Sequence, residues 1–248
     1  MLDVFCVSDR GSRDVNEDSV GLVTEGDSGF FVLADGLGGI GLGEMASQCV
    51  VDAMVGEWEA LRERCQSRDE DTPGRDWVYG LFEKANKRLL SMQEDLGRKM
   101  RSTAVMLRID RGNAVWAHVG DSRLYYIHDG EVRHVTSDHT VAFKKYRMGH
   151  VSYSGISGDE DRNLLLKSLG GESRHEPEYC PESVWLEKGD GFLLCTDGFW
   201  EGINPMEILV DHLKSDNARD WARLMLERIV GEAIPCRDNM TLITVMVA

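Results

Sequence analysis

Residues 30–36 read FFVLADG and residues 192–198 read FLLCTDG, so two distant stretches of the chain share one pattern. In each, an apolar run is followed by a small residue, an aspartate and a glycine. Apolar runs of this length, rich in Phe, Val and Leu, predict buried β-strands. A charge at the end of a buried strand is costly unless it has a partner. The two aspartates, Asp35 and Asp197, therefore need an explanation.

The most common use of Asp-Gly is a tight hairpin turn, which must be followed at once by a returning strand. Gly36 is followed by LGGIGLGE and Gly198 by FWEGINP, and each of these segments leads into a helical pattern. Neither continuation alternates between apolar and polar residues. The sequence therefore excludes a hairpin at both sites.

A second interpretation is nucleotide binding, because residues 36–41 match the G-x-G-x-x-G fingerprint between a predicted strand and a predicted helix. Glu57 lies near the offset of the ribose-binding acid. However, Glu57 falls inside the predicted helix, and Asp35 would place a negative charge beside the pyrophosphate. A dinucleotide-binding protein that uses residues 36–41 remains an alternative.

Composition limits the possible classes of protein. The chain has 248 residues, 42% of them hydrophobic, and no linker-like segment, which predicts one domain over residues 1–248. A formal net charge of −15 argues against nucleic acid and membrane surfaces as partners. No signal peptide or membrane span is recognisable, so we expect a cytoplasmic monomer. The cysteines lack C-x-x-C spacing and are predicted to be reduced thiols: Cys6, Cys49, Cys65, Cys180, Cys195 and Cys236.

The order of predicted elements indicates an antiparallel α+β fold. Three strands are followed by two helices, near 43–64 and 77–96, and then by four short strands. A polar, poorly periodic segment at 138–165 is predicted to be a surface flap. A further strand, two helices near 205–214 and 217–231 and a last strand follow it. The pair Asn204-Pro205 is typical of a helix start.

A third interpretation is that both strands deliver a carboxylate to one shared site. RDVNEDS contributes the adjacent acids Glu17 and Asp18, and RDNMT places Asp238 just before the last strand. Together with Asp35 and Asp197, these acids would repel one another unless cations were bound. An all-oxygen set favours Mg²⁺ or Mn²⁺ over Zn²⁺.

Six segments, GSRDVNEDS, VLADGLGG, HVGDSRLYY, TSDHT, LLCTDGFWE and RDNMTLI, occur in this order. With them the chain resembles the metal-dependent protein serine/threonine phosphatases (PPM, type 2C), in their compact bacterial form. The resemblance implies a four-layer α/β/β/α sandwich, with two central antiparallel sheets flanked by helix pairs. It also implies hydrolysis of phosphoserine and phosphothreonine in proteins by a metal-activated water, reversing a bacterial kinase. The expected cofactors are two Mn²⁺ or Mg²⁺ ions, with a third, weaker ion.

The resemblance also implies roles for individual residues. Asp35 would bridge two metal ions, and the carbonyl of Gly36 would bind the first of them. Asp197 and Asp238 would bind the second ion. Glu17 and Asp18 would contact the metals or their waters.

Two further residues have implied roles. Arg13 would receive the substrate phosphate. Asp121 would bind the third ion, although it can also be read as a plain turn residue.

One position departs from the family pattern. Some members have a histidine after Asp-Gly as a candidate general acid, and this chain has Leu37. His118 and His139 lie within the matching motifs, and we interpret both as structural. Lys144, Lys145 and Arg147 are candidate substrate contacts or solvated charges on the flap. An inactive scaffold that binds phosphoproteins remains the alternative function.

Overall fold

The computed structural model describes residues 1–39, 41–66, 74–171, 175–180, 184–231 and 238–248. Its strands, in chain order, are β1 Leu2–Asp9, β2 Asp18–Glu25, β3 Ser28–Gly38, β4 Met100–Ser102, β5 Ala104–Asp110, β6 Asn113–Val119, β7 Arg123–His128, β8 Glu131–Val135, β9 Glu178–Tyr179, β10 Val184–Trp185, β11 Gly191–Cys195 and β12 Met240–Val247. Its helices are α1 Leu42–Gln66, α2 Arg75–Leu96, α3 Val141–Arg147, α4 Asp197–Trp200, α5 Pro205–Leu213 and α6 Ala218–Gly231.

The strands form two sheets. The five-stranded sheet has the order β1-β12-β11-β7-β8, and the main path of the seven-stranded sheet is β10-β6-β5-β3-β2. In the second sheet, β4 pairs with β3 and β9 pairs with β6. Every pairing between the described strands is antiparallel. The α+β class predicted from the sequence is confirmed.

Strand β3 is a continuous apolar run because both of its faces are buried. Phe30 and Val32 pack into a core with α1 and α2. Phe31 and Leu33 point the other way, into a core shared with residues of the five-stranded sheet. Since side chains alternate along a strand, Asp35 continues the face of Phe31 and Leu33 and is directed between the two sheets.

Strand β11 is buried on both faces for the same reason. Phe192 and Leu194 enter the core between the sheets. Leu193 and Cys195 enter a third core, which includes residues of α5 and α6. One core thus lies between the two sheets, and α1 with α2 and α5 with α6 each share a further core with one of the sheets.

The predicted helices are present with small shifts at their ends. Asn204 caps α5: its side chain accepts hydrogen bonds from the backbone N–H groups of Met206 and Glu207, and the Glu207 side chain accepts one from the backbone of Asn204. This capping box satisfies N–H groups that have no partner inside the helix. The segment predicted as a flap contains α3 and a single 3₁₀ turn at Tyr153–Gly155.

Two expectations were wrong. Strand β3 does not end at Asp35 but continues to Gly38, because the last residues of β3 pair with β4. The dinucleotide alternative also fails. A nucleotide fold needs a parallel strand after the helix, whereas α1 leads into α2 and then into β4, which is antiparallel to β3.

Of the cysteines that the structure describes, Cys6, Cys49 and Cys195 are free thiols. Cys49, Cys180 and Cys195 are buried, and Cys6 is half-buried. Cys236 and the side chain of Cys65 lie outside the described residues. Within the part of the chain that is described, no helix is both long enough and apolar enough to span a bilayer.

Candidate metal centre and active site

The centre of the site is the pairing of β2 with β3, in which Asp18 is the register partner of Asp35. The two side chains therefore lie on the same face of the sheet. On the other side of β3, the backbone N–H of Asp35 donates to the Thr103 Oγ1 (2.9 Å), and the Thr103 N–H donates to the carbonyl of Asp35 (2.8 Å). Asp35 is thus held by its neighbours on both sides.

Two further carboxylates come from the five-stranded sheet. Asp197 is the first residue of α4, just after β11, and Asp238 lies just before β12. The hydroxyl of Thr196 donates to Oδ2 of Asp18 over 3.0 Å and so connects the two groups of acids. The acids therefore meet at one end of the sandwich, between the two sheets.

The charges of these acids affect one another. Burial raises the pKa of Asp35 well above its ordinary value, and the charges of Asp197, Asp18, Asp121 and Asp238 raise it further. The pKa of Asp197 is also raised, first by burial and then by Asp121 and Asp238. Burial raises the pKa of Asp18 to about 6. The structure thus brings these five predicted acids into one electrostatic cluster.

Asp121 is not a plain surface turn residue. It is 6% exposed, and burial followed by the charge of Asp138 raises its pKa to about 7. Its carbonyl accepts a hydrogen bond from Nε1 of Trp200 (2.9 Å). Gly120 before it has φ +103°, and a Cβ there would lie 2.6 Å from Cγ2 of Thr103. The tight turn therefore needs glycine at 120 and directs Asp121 inward.

Glu17 and Arg13 form the outer edge of the cluster. Burial raises the pKa of Glu17, while a hydrogen bond from the Gly43 backbone opposes this shift. Nη2 of Arg13 lies 2.5 Å from Oδ2 of Asp238, and more than half of the Arg13 side chain is exposed. Arg13 is therefore at the entrance of the site with its guanidinium accessible.

Gly36 and Gly43 allow two backbone segments to come into contact. A Cβ at Gly36 would lie 1.9 Å from the carbonyl oxygen of Gly43, and a Cβ at Gly43 would lie 2.4 Å from Oε1 of Glu17. The start of α1 therefore packs directly on β3 and on Glu17. Side chains at either position would force these groups apart.

Three contributors were not predicted. Oδ1 of Asn239 accepts the N–H of Glu17 (2.8 Å), and its Nδ2 donates to the carbonyls of Arg10 and Val15 (both 2.9 Å), which holds the loop that carries Arg13. Glu201 raises the pKa of Asp197. The positions of both residues in quoted motifs were the available signal: Glu201 ends LLCTDGFWE, and Asn239 follows Asp238 in RDNMTLI.

The third contributor that was not predicted is a buried ion pair behind Asp121. Arg123 donates to both carboxylate oxygens of Asp138, at 2.7 and 2.6 Å. Its guanidinium also lies 3.4 Å from the ring centre of Trp200, which is the residue that donates to Asp121. The pair therefore supports the Asp121 turn from within the protein.

The histidines of the matching motifs belong to a separate cluster. The ligand atoms of His118, His139 and Glu178 lie within 4.8 Å of one another, close enough for a metal ion. However, the N–H of Gly120 donates to Nδ1 of His139 (3.1 Å), so the proton of the neutral ring is on Nε2, 3.5 Å from Glu178. A metal would need the lone pair at that nitrogen. The hydrogen bonds thus favour the structural interpretation of both histidines.

Of the flap cations, Lys145 contacts Asp159 and Asp161, both at 2.8 Å. Lys144 and Arg147 are exposed.

The acid cluster fits hard divalent cations. All its side-chain donors are carboxylate oxygens, and burial, followed by mutual repulsion, raises the pKa values of its buried members. Oδ1 of Asp18 is buried and has no hydrogen-bond partner, although Oδ2 has one. A buried anionic oxygen without a partner is costly, and a cation would remove the cost.

Comparison with known proteins gives the same assignment as the sequence motifs. The family model described as protein phosphatase 2C matches residues 7–230. A serine/threonine phosphatase of Listeria welshimeri is 30% identical over 213 residues, covering 84% of this chain and 81% of that protein.

Two solved structures extend the comparison. The serine/threonine phosphatase Stp1 from Staphylococcus aureus has a TM-score of 0.83 at 25% identity, covering 100% of this chain and 96% of that chain. The catalytic domain of the phosphatase PstP, in complex with two manganese ions, has a TM-score of 0.79 at 26% identity. The match covers 100% of this chain and 99% of that chain.

Proposed function

Because the chain belongs to the protein phosphatase 2C family, we propose that it hydrolyses phosphoserine and phosphothreonine in proteins with the help of divalent cations. The observation that carries this proposal is the cluster of carboxylates around Asp35 with the accessible guanidinium of Arg13 at its edge. No acid of the expected set is missing or directed elsewhere among the described residues. The inactive scaffold is therefore not favoured.

The cations would be two Mn²⁺ or Mg²⁺ ions, and the two manganese ions in the PstP structure support this number. Asp35 and the carbonyl of Gly36 would hold one ion, and Asp35, Asp197 and Asp238 the other. Glu17 and Asp18 would complete this centre, and Asp121 would serve a weaker third ion. When bound, such ions supply Lewis-acid activation of water and stabilise charge on the phosphoryl oxygens.

The protein's own groups would position the phosphate. Arg13 is fixed by Asp238 on one side and exposed on the other, so its remaining N–H groups can bind phosphoryl oxygens. Leu37, which follows the Asp35-Gly36 pair in sequence, is apolar and cannot serve as a proton donor. The rings of His118 and His139 bond to Ser137 and Gly120. We therefore assign neither histidine as the general acid.

The substrates would be phosphoproteins made by a bacterial protein kinase. We place this activity in the cytoplasm, where the four described cysteines would remain thiols. We also propose that residues 1–248 form one domain with residues 138–165 as a flap.

The decisive experiment measures phosphate release from p-nitrophenyl phosphate and from a phosphothreonine peptide. We expect turnover with Mn²⁺ and none after EDTA treatment, with recovery when Mn²⁺ is restored. Turnover of both substrates that persists in EDTA would contradict the metal-dependent mechanism. Turnover of p-nitrophenyl phosphate without turnover of any phosphopeptide would point to a small-molecule substrate instead.

A further inference from the structure

Strand β4 places an arginine beside the acid cluster. Its three residues pair with the end of β3, with Leu37 opposite Arg101 and Gly38 opposite Met100. Met100 is 1% exposed and packs against α1 and α2, whereas Arg101 is exposed. The two side chains thus point to opposite faces, as alternation along a strand requires.

The register determines which face Arg101 occupies. Leu37 lies two residues after Asp35 and therefore shares its face, and cross-strand partners also share a face. Arg101 consequently projects on the face of Asp35, about 7 Å further along the strand. Thr103, on the same face of the chain segment, fixes this register through its two hydrogen bonds with the backbone of Asp35.

Arg101 carries a charge that the protein leaves available. Within the described ranges, no carboxylate lies within ion-pair distance of Arg101. Its Cδ lies 3.6 Å from the position that a Cβ would take at Gly171, so the stem lies beside this glycine, and Arg101 as a whole is exposed. In a chain with a net charge of −15, it is unusual that an arginine beside an acidic centre has no acidic partner among the residues that the structure describes.

The position of Arg101 complements that of Arg13. Arg13 precedes β2 and contacts Asp238, while Arg101 lies on β4, and β2 and β4 pair with opposite edges of β3. The two arginines therefore flank Asp35 on opposite sides. A substrate whose phosphate contacts Arg13 would extend past Leu37 toward Arg101.

We propose that Arg101 is a specificity-determining residue that binds an anionic group next to the phosphorylated residue of the substrate. The group would be a carboxylate side chain or a second phosphate, both of which a guanidinium binds with two parallel hydrogen bonds. This inference rests on the proposed phosphoprotein phosphatase function. Leu37 would contribute an apolar surface between the reacting phosphate and this second anion.

The test compares Arg101→Ala with the unmodified protein on p-nitrophenyl phosphate and on three phosphothreonine peptides, flanked by alanines, by glutamates or by phosphoserines. The reactions contain saturating Mn²⁺, and loss of phosphate from the phosphothreonine is followed by mass spectrometry. We expect kcat/KM to fall about 3- to 10-fold for one or both of the acidic peptides, as for a partly screened charge-assisted contact. The alanine peptide and p-nitrophenyl phosphate should be unaffected.

Lys188→Ala is the matched control, because Lys188 is an exposed cation before β11, at the end of that strand opposite to Asp197. Like Arg101→Ala, it removes one positive charge, and it should leave kcat/KM unchanged for all four substrates. Equal losses on all four substrates, no loss on any, or equal losses in both variants would each overturn the role of Arg101. If the unmodified protein cleaves p-nitrophenyl phosphate but no peptide, it is the proposed protein substrate that fails, and the assignment of Arg101 falls with it.

Discussion

Asp18 and Asp35 are direct partners across β2 and β3, so two carboxylates stand side by side on one face of a sheet. Like charges at such positions destabilise a strand pair. Only one of the two oxygens of Asp18 receives a hydrogen bond, from Thr196. The fold thus maintains a repulsive arrangement that a bound cation relieves, and this arrangement is the basis of the expected function.

Asp35→Asn should abolish activity more completely than Asp197→Asn. Asp35 would contact both cations and Asp197 only one, so we expect kcat to fall about 10³-fold or more for Asp35→Asn and about 10- to 100-fold for Asp197→Asn. The measurement is turnover of p-nitrophenyl phosphate at saturating Mn²⁺. The exposed Asp216→Asn serves as control.

Asp35→Asn should also stabilise the metal-free protein, because it removes a buried charge that Asp18 and Asp197 repel. Each kcal/mol gained raises Tm by about 2–4 °C in a domain of this size. Thermal unfolding in EDTA tests this expectation. A lower Tm for Asp35→Asn would show that the carboxylates are not in repulsion.

The stability of the metal-free protein should increase as the pH falls from 8 to 6.5. Folding raises the pKa of Asp121 to about 7, so the folded state binds more protons than the unfolded state in this window. The gain is on the order of 1 kcal/mol for this one group. Mn²⁺ should remove this dependence, because it binds the ionised carboxylates.

Below pH 6.5, buried histidines oppose the gain in stability that proton uptake by the carboxylates gives. Burial lowers the pKa of His118 to about 3, and it also lowers the pKa values of His134 and His212. These rings gain a proton more readily in the unfolded chain, so stability is lost as the pH falls through 6.5. Thermal unfolding in EDTA at several pH values measures both trends. A Tm that rises steadily from pH 6.5 to 8 would contradict the assignment for the carboxylates.

Two glycine-to-alanine substitutions should have opposite effects. At Gly36 the new Cβ would meet the carbonyl of Gly43, and we expect a loss of about 1–3 kcal/mol together with weaker Mn²⁺ binding. Gly56 lies within α1 with open space around its Cβ position, so alanine there should stabilise by about 0.5–1 kcal/mol. Urea unfolding measures both changes. Equal effects would show that the contact of Gly36 with the start of α1 is not tight.

Asp138→Asn should be strongly destabilising although it lies outside the proposed metal ligands. It leaves the buried guanidinium of Arg123 without a counter-charge, at a cost of about 3–5 kcal/mol. Glu131→Gln, which removes the exposed partner of Arg133, should cost less than about 1 kcal/mol. Denaturant unfolding at pH 7 provides the comparison. Similar values for the two variants would exclude a supporting role for the buried pair.

Arg13→Ala should weaken phosphate binding more than Arg13→Lys. A lysine keeps the charge but loses the two-point contact with a phosphoryl group, so we expect kcat/KM to fall about 10- to 100-fold for alanine and less for lysine. Arg10→Ala in the same loop is the control, since its side chain donates to the carbonyl of Asp14 and has no other hydrogen bond within the described part of the chain. Inhibition by inorganic phosphate should weaken in parallel. Unchanged inhibition by phosphate would reassign Arg13 to a structural role.

The sequence was sufficient for the main strands and helices and for nominating the acids that the fold brings together, because each depends on local patterns. The apolar runs before Asp35 and Asp197 identify strands, and Asn204-Pro205 identifies a helix start. The extension of β3 past Asp35 could not be predicted, because LGG has no alternation and its pairing partner lies more than 60 residues away. The registry of Asp18 with Asp35 likewise depends on a sheet that no single segment encodes.

Other contributors are equally non-local. Asn239 makes its contacts with residues more than 220 positions away in the chain. Arg123 begins β7 and Asp138 lies three residues after the end of β8, so their contact depends on the hairpin that joins the two strands. Their roles appear only when both sheets are in place.

The acids of the cluster come from both sheets: Asp18 and Asp35 lie on strands of one, and Asp197 and Asp238 lie at the ends of two inner strands of the other. A partly folded chain in which the sheets have not docked cannot present this set. Divalent cations would therefore bind only late in folding and would act mainly on the rate of unfolding, since the sheets must separate before the ions are released. Resistance to slow proteolysis would then depend on the supply of metal, and a metal-starved cell would lose the protein as well as its activity.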